Sequence, residues 1–354
     1  MKKVAIIGHF GFGLECLDGQ TVKTKILADE LERQLGRDEV TRYDTHGGAL
    51  ATPRILVNII SALKNHENVI ILPAHNGIKI IAPWISFWNR FYKRGLHYAV
   101  VGGWLSKFLE GKAGLAKALR SFSGIYAETS TMKRALEAQG FENVYLMPNC
   151  KELPILGKDE LTYPDGEPYR LATFSRVMKE KGIEDAVNAV KAINTEYGRT
   201  VFALDIYGQV DGGQVEWFDE LRASFPDYIT YGGLVPFDKS VEVLKDYYAL
   251  LFPTRFYTEG VPGTIIDAYA AGVPVISARW ESFADVVDDG VTGIGYEFGS
   301  AAALTDILRE AAGNPRLITS LKENAIHKAA EFMPSSALSV LINKIDWEQN
   351  NVEL

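Results

Sequence analysis

Two α/β domains in succession, each a parallel sheet layered with helices, are what this sequence predicts. Short apolar runs alternate with amphipathic stretches from end to end, the pattern of strand–helix–strand layering. The length of 354 residues exceeds what a single core normally holds, so two domains of roughly 150–190 residues are expected. A polar, proline-containing stretch runs from Pro148-Asn149-Cys150 to about Glu167, and the strand–helix pattern restarts after it. The boundaries drawn from this are residues 1–150 and 151–334.

In the first half, strands are predicted at Val4–Gly8, Glu39–Tyr43, Asn68–Leu72, Tyr98–Val101, Gly124–Ala127 and Val144–Met147. Helical periodicity between them is clearest over Thr21–Leu35 and Thr131–Ala138. In the second half the strands are Arg170–Phe174, Phe202–Tyr207, Ile229–Tyr231, Leu250–Phe252 and Pro274–Ser277. Two helical stretches close the chain, Pro315–Phe332 and Ser335–Ile345, with Pro334 breaking the run between them.

Composition narrows the class. A hydrophobic fraction of 47% and a charged fraction of 23% are those of a soluble globular protein. The two cysteines, Cys16 and Cys150, have no CxxC or metal-ligand spacing around them, so a reducing cytoplasm is expected and a disulfide framework is not. The apolar run after Met1-Lys2-Lys3 is too short for a signal-peptide core, and no run approaches the length of about 18 residues that a membrane span needs. The net charge of −8 is uneven, with +6 over residues 1–150 and −14 over the rest. Without a Lys/Arg run or a known module, nucleic acid is a poor partner.

The most informative segment is Thr258-Glu259-Gly260-Val261-Pro262-Gly263-Thr264-Ile265-Ile266-Asp267-Ala268, which follows a strand and opens a helix near Pro262. Gly260 and Gly263 let backbone approach a ligand, and free first-turn amides with the helix dipole suit a phosphate. Glu259 in the loop and Asp267 in the helix place two carboxylates around that turn. A second segment, Phe174-Ser175-Arg176-Val177-Met178-Lys179-Glu180-Lys181-Gly182, ends the half's first strand. Arg176 offers a planar fork to phosphate oxygens and Lys181 a compact charge. The competing reading of each is bland: acids that cap a turn, and an ordinary charged loop.

Taken together and in this order, the two segments resemble the Glu-x7-Glu and Gly-Arg-x4-Lys-Gly motifs of retaining glycosyltransferases of family 4 (group 1), which have the GT-B fold. Asp267 stands where the second Glu is usual and Ser175 where glycine is usual. The resemblance is strong over residues 170–295 and loose before residue 150. It implies two Rossmann-like domains with parallel sheets facing a central cleft, the terminal helix 335–354 joining the first domain. It also implies a metal-independent transfer from a nucleotide-sugar, UDP by family weight, with no cofactor. In that family the first acid touches the transferred sugar and the second the ribose, which assigns Glu259 and Asp267. Arg176 and Lys181 would face the diphosphate, as would the turn Gly260, Val261, Pro262, Gly263 and Thr264. Tyr231-Gly232-Gly233-Leu234 matches the strand end that contacts the base, through Gly233 and Leu234. The acceptor would be a saccharide or lipid-linked saccharide of cell-surface glycoconjugate synthesis. Rivals are an epimerase or hydrolase of the same fold, and a non-catalytic sugar-nucleotide-binding subunit.

The amino-terminal half gives less. Gly8-His9-Phe10-Gly11-Phe12-Gly13 has the spacing G-x-x-G-x-G, which does not fit the dinucleotide fingerprint, although Asp44 ends the next strand. Asp18-Gly19-Gln20-Thr21 better fits the loop that, in the resembled family, closes over the donor diphosphate, with Gly19 as its candidate. The family's histidine near the reacting sugar has no counterpart after Tyr98–Val101, where Gly102-Gly103-Trp104 stands; His75 is its substitute by position, with His9 another. From Pro83 an aromatic helix start carries Trp84, Phe87, Trp88, Phe91 and Tyr92 on one face. Lys79 to Arg120 holds eight basic residues and one acid, Glu110. That face suits either burial against the sheet or reversible docking on an anionic membrane.

Overall fold

The computed structural model describes residues 1–13 and 19–350, and their side chains except those of Ala49 and residues 346–350. Cys16, Asp18 of the expected donor loop and residues 351–354 of the expected terminal helix lie outside the described residues. The chain divides into two units, residues 1–152 with 333–354, and residues 153–332.

The first unit is a six-stranded parallel sheet of β1 Lys2–Gly8, β2 Val40–Asp44, β3 His66–Ile71, β4 Gly95–Ala99, β5 Gly124–Ala127 and β6 Val144–Leu146. Their order across the sheet is β2-β1-β3-β4-β5-β6. Val4 to Ile7 are at most 1% exposed, because helices cover both faces of a parallel sheet. Burying each such aliphatic side chain contributes about 1.5–3 kcal/mol. The helix Gly19–Leu35 packs so closely on β1 that a side chain at Gly8 would meet Thr24 Cγ2 at 2.6 Å. The terminal helix Ser339–Asn350 returns to this unit, where Leu338, Leu341 and Ile345 are buried with Val4, Ile6 and Leu27.

The second unit is a second six-stranded parallel sheet, of β7 Tyr169–Phe174, β8 Phe202–Tyr207, β9 Ile229–Gly233, β10 Ala249–Phe252, β11 Val275–Ala278 and β12 Gly293–Tyr296. Its order is β12-β11-β10-β7-β8-β9. The helix Ile183–Tyr197 buries Ile183, Ala186, Val187, Val190 and Ile193, a helical spacing of apolar positions facing the sheet. Asn194 ties that helix to β8, accepting from the amides of Val201 and Phe202 and donating to the Phe202 carbonyl. Two Rossmann-like α/β units are therefore the architecture.

Three elements differ from expectation. β12 is absent from the sequence reading, because Gly293-Ile294-Gly295-Tyr296 has poor strand propensity. Its glycines are required by packing: a Cβ at Gly293 would lie 2.4 Å from the Val275 carbonyl oxygen. The aromatic helix begins at His75 and runs to Tyr92, with Pro83 inside it. The stretch Pro315–Phe332 is two helices, Arg316–Thr319 and Lys322–Ala329, and Pro334 opens a short helix, where its missing N–H is not needed.

Candidate active site

In the second unit the chain leaves β7 toward β8 on one side and reaches β10 for the other, so β7 and β10 flank the point where strand order reverses. Ligands of open α/β sheets bind outside the carboxyl ends of the strands at such a point. Arg176 and Lys181 follow β7, and Thr254 and Glu259 follow β10.

The two loops are locked together. Gly182 has φ +69°, and a Cβ there would lie 1.9 Å from the Pro253 carbonyl oxygen. The Arg255 amide donates to the Glu180 carbonyl at 2.8 Å. The Arg255 guanidinium makes a bidentate pair with Asp185 at 2.6 and 2.9 Å, and this pairing pushes its pKa up. On this base the Lys181 ammonium is bonded to Glu259, whose carboxylate also accepts from Thr254 Oγ1 at 3.2 Å. Lys181 lies 5.1 Å from the Phe256 ring centre and 5.5 Å from that of Phe252. Arg176 is more open, its guanidinium 3.7 Å from Asp211 and 58% exposed.

The strand end at Gly208 is equally tight. Its φ is +132°, and a Cβ would lie 1.9 Å from the Ser175 carbonyl oxygen, so β8 runs against the segment bearing Arg176. Gly233, with φ +74°, accepts there from the Gly208 amide at 2.8 Å, and Leu234 beside it is 62% exposed. Gly260, Val261 and Pro262 are buried, and the helix Gly263–Ala270 starts beyond them. Of its first-turn amides, that of Ile265 bonds the Pro262 carbonyl at 3.1 Å, and the buried Thr264 hydroxyl oxygen has no hydrogen-bond partner among the described residues. Asp267 is only 2% exposed and accepts from Ser240 Oγ at 2.8 Å. A separate surface groove of about 440 Å³, lined by Tyr163, Arg316, Thr319, Ser320, Glu323 and Asn324, shares no residue with this edge.

In the first unit, strand order reverses between β1 and β3, and His9 and His75 follow those two strands. His75 begins its helix and stacks on Trp104, ring centres 3.7 Å apart, with Phe108 edge-on at 5.3 Å. Shielding of the imidazole by these rings, helped by the Lys79 charge, lowers its pKa below 6.5 although the residue is exposed. His9 Nδ1 is 2.6 Å from Thr21 Oγ1, and its Nε2 is 3.1 Å from His46 Nδ1. Asp44 is committed to the loop after β1, accepting from the amides of Phe10, Gly11, Phe12 and His46. Burial alone would push its carboxyl up, but these bonds outweigh it and hold the carboxyl below its usual range. Gly19 is exposed at the first position of its helix. Beneath this edge, Lys23 is buried and donates to Glu128 at 2.6 Å and to the Val100 carbonyl at 2.8 Å. Among the described residues no group of three His, Cys, Asp or Glu could hold a metal ion.

The structure thus brings Lys181 and Glu259 together, with Arg176, Gly233 and Leu234 at neighbouring strand ends of the same sheet. It buries Asp267, and it carries Gly19 and His75 on the other unit. Sequence reasoning did not find Thr254, Ser240 or the Asp185–Arg255 pair, residues whose roles depend on contacts far apart in the chain. Trp104 was visible only as a departure from a pattern, not as the partner of His75.

Residues 168–314 match the family model for glycosyl transferases group 1. Among curated proteins, the chain is 31% identical over 176 residues to the GtfA subunit of the Streptococcus gordonii UDP-N-acetylglucosamine–peptide N-acetylglucosaminyltransferase, covering 47% of this chain and 32% of that protein. It is 23% identical over 146 residues to the amylovoran biosynthesis glycosyltransferase AmsK of Erwinia amylovora, covering 40% of this chain and 35% of that one. The matched part spans about a third of the length of these relatives. Among solved structures, the sucrose-phosphate synthase of Thermosynechococcus elongatus superposes with a TM-score of 0.75 at 14% identity, covering 99% of this chain and 100% of that one. Anabaena HepE in complex with UDP gives 0.73 at 13%, covering 97% and 99%. At such identities the likeness is one of fold, the two-domain Rossmann-like architecture of GT-B proteins.

Proposed function

We propose that this chain is a glycosyltransferase of the retaining, metal-independent kind. It moves a sugar from a nucleotide-sugar, with UDP as the nucleotide, to a saccharide or lipid-linked saccharide. The observation that carries the proposal is the meeting of Lys181 and Glu259 at the switch point between β7 and β10, beside Arg176. Cleavage of the sugar–phosphate bond builds negative charge on the departing diphosphate. Arg176, Lys181 and the helix start at Gly263 supply fixed positive charge and N–H donors there, as electrostatic stabilisation of a leaving group requires. We assign Glu259 to the sugar hydroxyls, and Gly233 and Leu234 to the base. Asp267 is assigned to the ribose diol, which would exchange with its Ser240 partner. We assign acceptor binding to the first unit, a catalytic role to His75 and a donor-loop role to Gly19. UDP is supported by the complexes of HepE with UDP and UDP-glucose, and polysaccharide synthesis by the name of AmsK.

The acceptor side carries a membrane reading. On the helix His75–Tyr92, Trp84, Trp88 and Tyr92 pack against the core, while Ile80, Phe87 and Phe91 are 48%, 48% and 70% exposed. Exposed Lys79, Arg90 and Lys93 flank that stripe. We place it on the anionic inner face of a membrane, from the cytoplasm, where a lipid-linked acceptor would be met. Among the described residues no helix is long and apolar enough to cross a membrane.

A thermal-shift screen against nucleoside diphosphates and their sugars tests the donor reading, because a ligand of the native state raises its apparent stability. Stabilisation by UDP and a UDP-sugar is expected; no shift with any nucleotide would reject the proposal. Binding without turnover across acceptor mixtures would mark a non-catalytic subunit, and released or isomerised sugar without acceptor a hydrolase or epimerase.

A further inference from the structure

The residues assigned to adjoining parts of the donor, its diphosphate and its sugar, are bonded to each other, the Lys181 ammonium to the Glu259 carboxylate. Both are largely withdrawn from water, with side chains 18% and 16% exposed. Resting on the donor reading above, we propose that this ion pair is how the site distinguishes nucleotide-sugar from spent nucleoside diphosphate, and that its re-formation expels the product.

The two ligands offer the pair different partners. A diphosphate that draws Lys181 to itself takes away the charged partner of Glu259. Among the described residues the carboxylate then keeps only the Thr254 hydroxyl, in a half-buried position beside a new anion. Such a group costs more than the hydrogen bond it lost. A nucleotide-sugar repays that loss, because the sugar's hydroxyls donate to Glu259 while the diphosphate holds Lys181. A nucleoside diphosphate alone cannot. Transfer of the sugar therefore turns a satisfied site into an unsatisfied one, and Glu259 recaptures Lys181.

The surroundings suit an exchange confined to side chains. The Arg255–Glu180 backbone bond, the Arg255–Asp185 pair and the close approach of Gly182 to Pro253 fix both loops. The faces of Phe252 and Phe256, within 5.5 Å of the ammonium, hold it by cation–π attraction whichever anion it serves.

The experiment is titration calorimetry of wild type, Glu259→Gln and Glu259→Gln/Lys181→Met, with UDP and UDP-glucose, or with GDP and GDP-mannose if those stabilise the wild type instead. Wild type should bind the sugar conjugate at least about tenfold more tightly than the diphosphate, the size of one charge-assisted hydrogen bond. Glu259→Gln should bind the diphosphate about tenfold more tightly than wild type and lose most of its preference for the conjugate. Adding Lys181→Met should abolish that gain, since no cation remains to be released. A Glu259→Gln protein with a wild-type melting point that binds the diphosphate no more tightly would overturn the inference and leave the donor reading standing. If wild type binds neither ligand of either pair, the donor reading itself falls.

Discussion

The two sheets present their switch points in different chemical terms. Between β7 and β10 the edge is charged, and its backbone is crowded: Lys181 meets Glu259, Arg176 stands near Asp211, and Gly182 and Gly208 each admit a neighbouring carbonyl where a side chain would be. Between β1 and β3 the edge is aromatic and imidazole-lined, with His75 on Trp104 and His9 on His46. There the acid Asp44 is consumed by backbone amides, and the ion pair Lys23–Glu128 is sunk beneath the strand ends. The crowding there is against side chains rather than carbonyls: a Cβ at Gly8, which ends β1, would meet Thr24 Cγ2 at 2.6 Å. Fixed charge set in rigid backbone suits a small, highly charged ligand whose own charge changes during reaction. A neutral, stacked edge suits a hydroxyl-rich partner held by shape and modest hydrogen bonds.

The largest effect should come from removing the charge on one side only. Hydrogen bonds to charged groups are worth roughly 1.5–3 kcal/mol each. Arg176→Ala with Lys181→Ala should therefore lower kcat/KM by about two to four powers of ten. EDTA should leave the wild-type rate unchanged, because side chains and a helix terminus supply the positive charge. A double variant within threefold of wild type, or activity lost to EDTA and restored by magnesium, would dissolve the contrast.

Crowding against a carbonyl can be tested by the same substitution at Gly208 and at Gly102, a glycine in the loop after β4. Gly208→Ala must both accept φ +132° and move the Ser175 carbonyl, which lies 1.9 Å from the new Cβ. The expected loss is about 3 kcal/mol, or roughly 6–12 °C in Tm for a unit of this size. Gly102→Ala meets only the backbone penalty of its φ of +81°, about 1–2 kcal/mol. Equal losses in thermal melts would show that the Ser175 carbonyl does not crowd Gly208.

These differences also set what could be read without coordinates. Apolar runs located eleven of the twelve strands among the described residues within a few positions, since a run such as Val4–Ile7 needs no partner to identify it. β12 escaped because its glycines answer to Val275 and Phe283, contacts made by the fold. Arg176, Lys181 and Glu259 were legible as charged residues in glycine-rich turns after strands. That Lys181 and Glu259 bond to each other was not, because 78 residues separate them. On the aromatic helix, periodicity identified the apolar positions but could not divide Trp84 and Trp88, which pack inward, from Phe87 and Phe91, which do not.

That division sharpens the membrane test. Arg94 donates to the Leu63 carbonyl at 3.0 Å and is part of the fold, so the surface charges to remove are Lys79, Arg90 and Lys93. Each contributes about 1 kcal/mol near an anionic leaflet, and their replacement by glutamine should cost about 3 kcal/mol of binding at low salt. Wild type should sediment with phosphatidylglycerol vesicles and release as salt shortens the screening length. Equal recovery with anionic and neutral vesicles would leave the stripe without a membrane role.

The smallest expected effect concerns His75, and it asks whether the neutral edge does chemistry or only shape. Its pKa lies below 6.5 because the rings packed on it keep water from the imidazolium and Lys79 repels it. The folded state therefore favours the neutral ring, so its stabilising contribution is complete above pH 6.5 and is lost as pH falls through the lower folded value. Transfer that uses the neutral ring should follow the same course, flat above pH 6.5 with an acid limb below it. His75→Phe keeps a ring to stack on Trp104 and removes the nitrogens. One neutral hydrogen bond is worth about 0.5–1.5 kcal/mol, so kcat should fall by up to about tenfold with donor affinity unchanged, and the acid limb of the rate should disappear. The acid loss of stability should shrink without vanishing, because burial also lowers the pKa of His66 and pushes that of His97 to about 3. If His75→Phe retains both the wild-type kcat and its acid limb, the stack on Trp104 is scaffold, and the edge between β1 and β3 binds by shape alone.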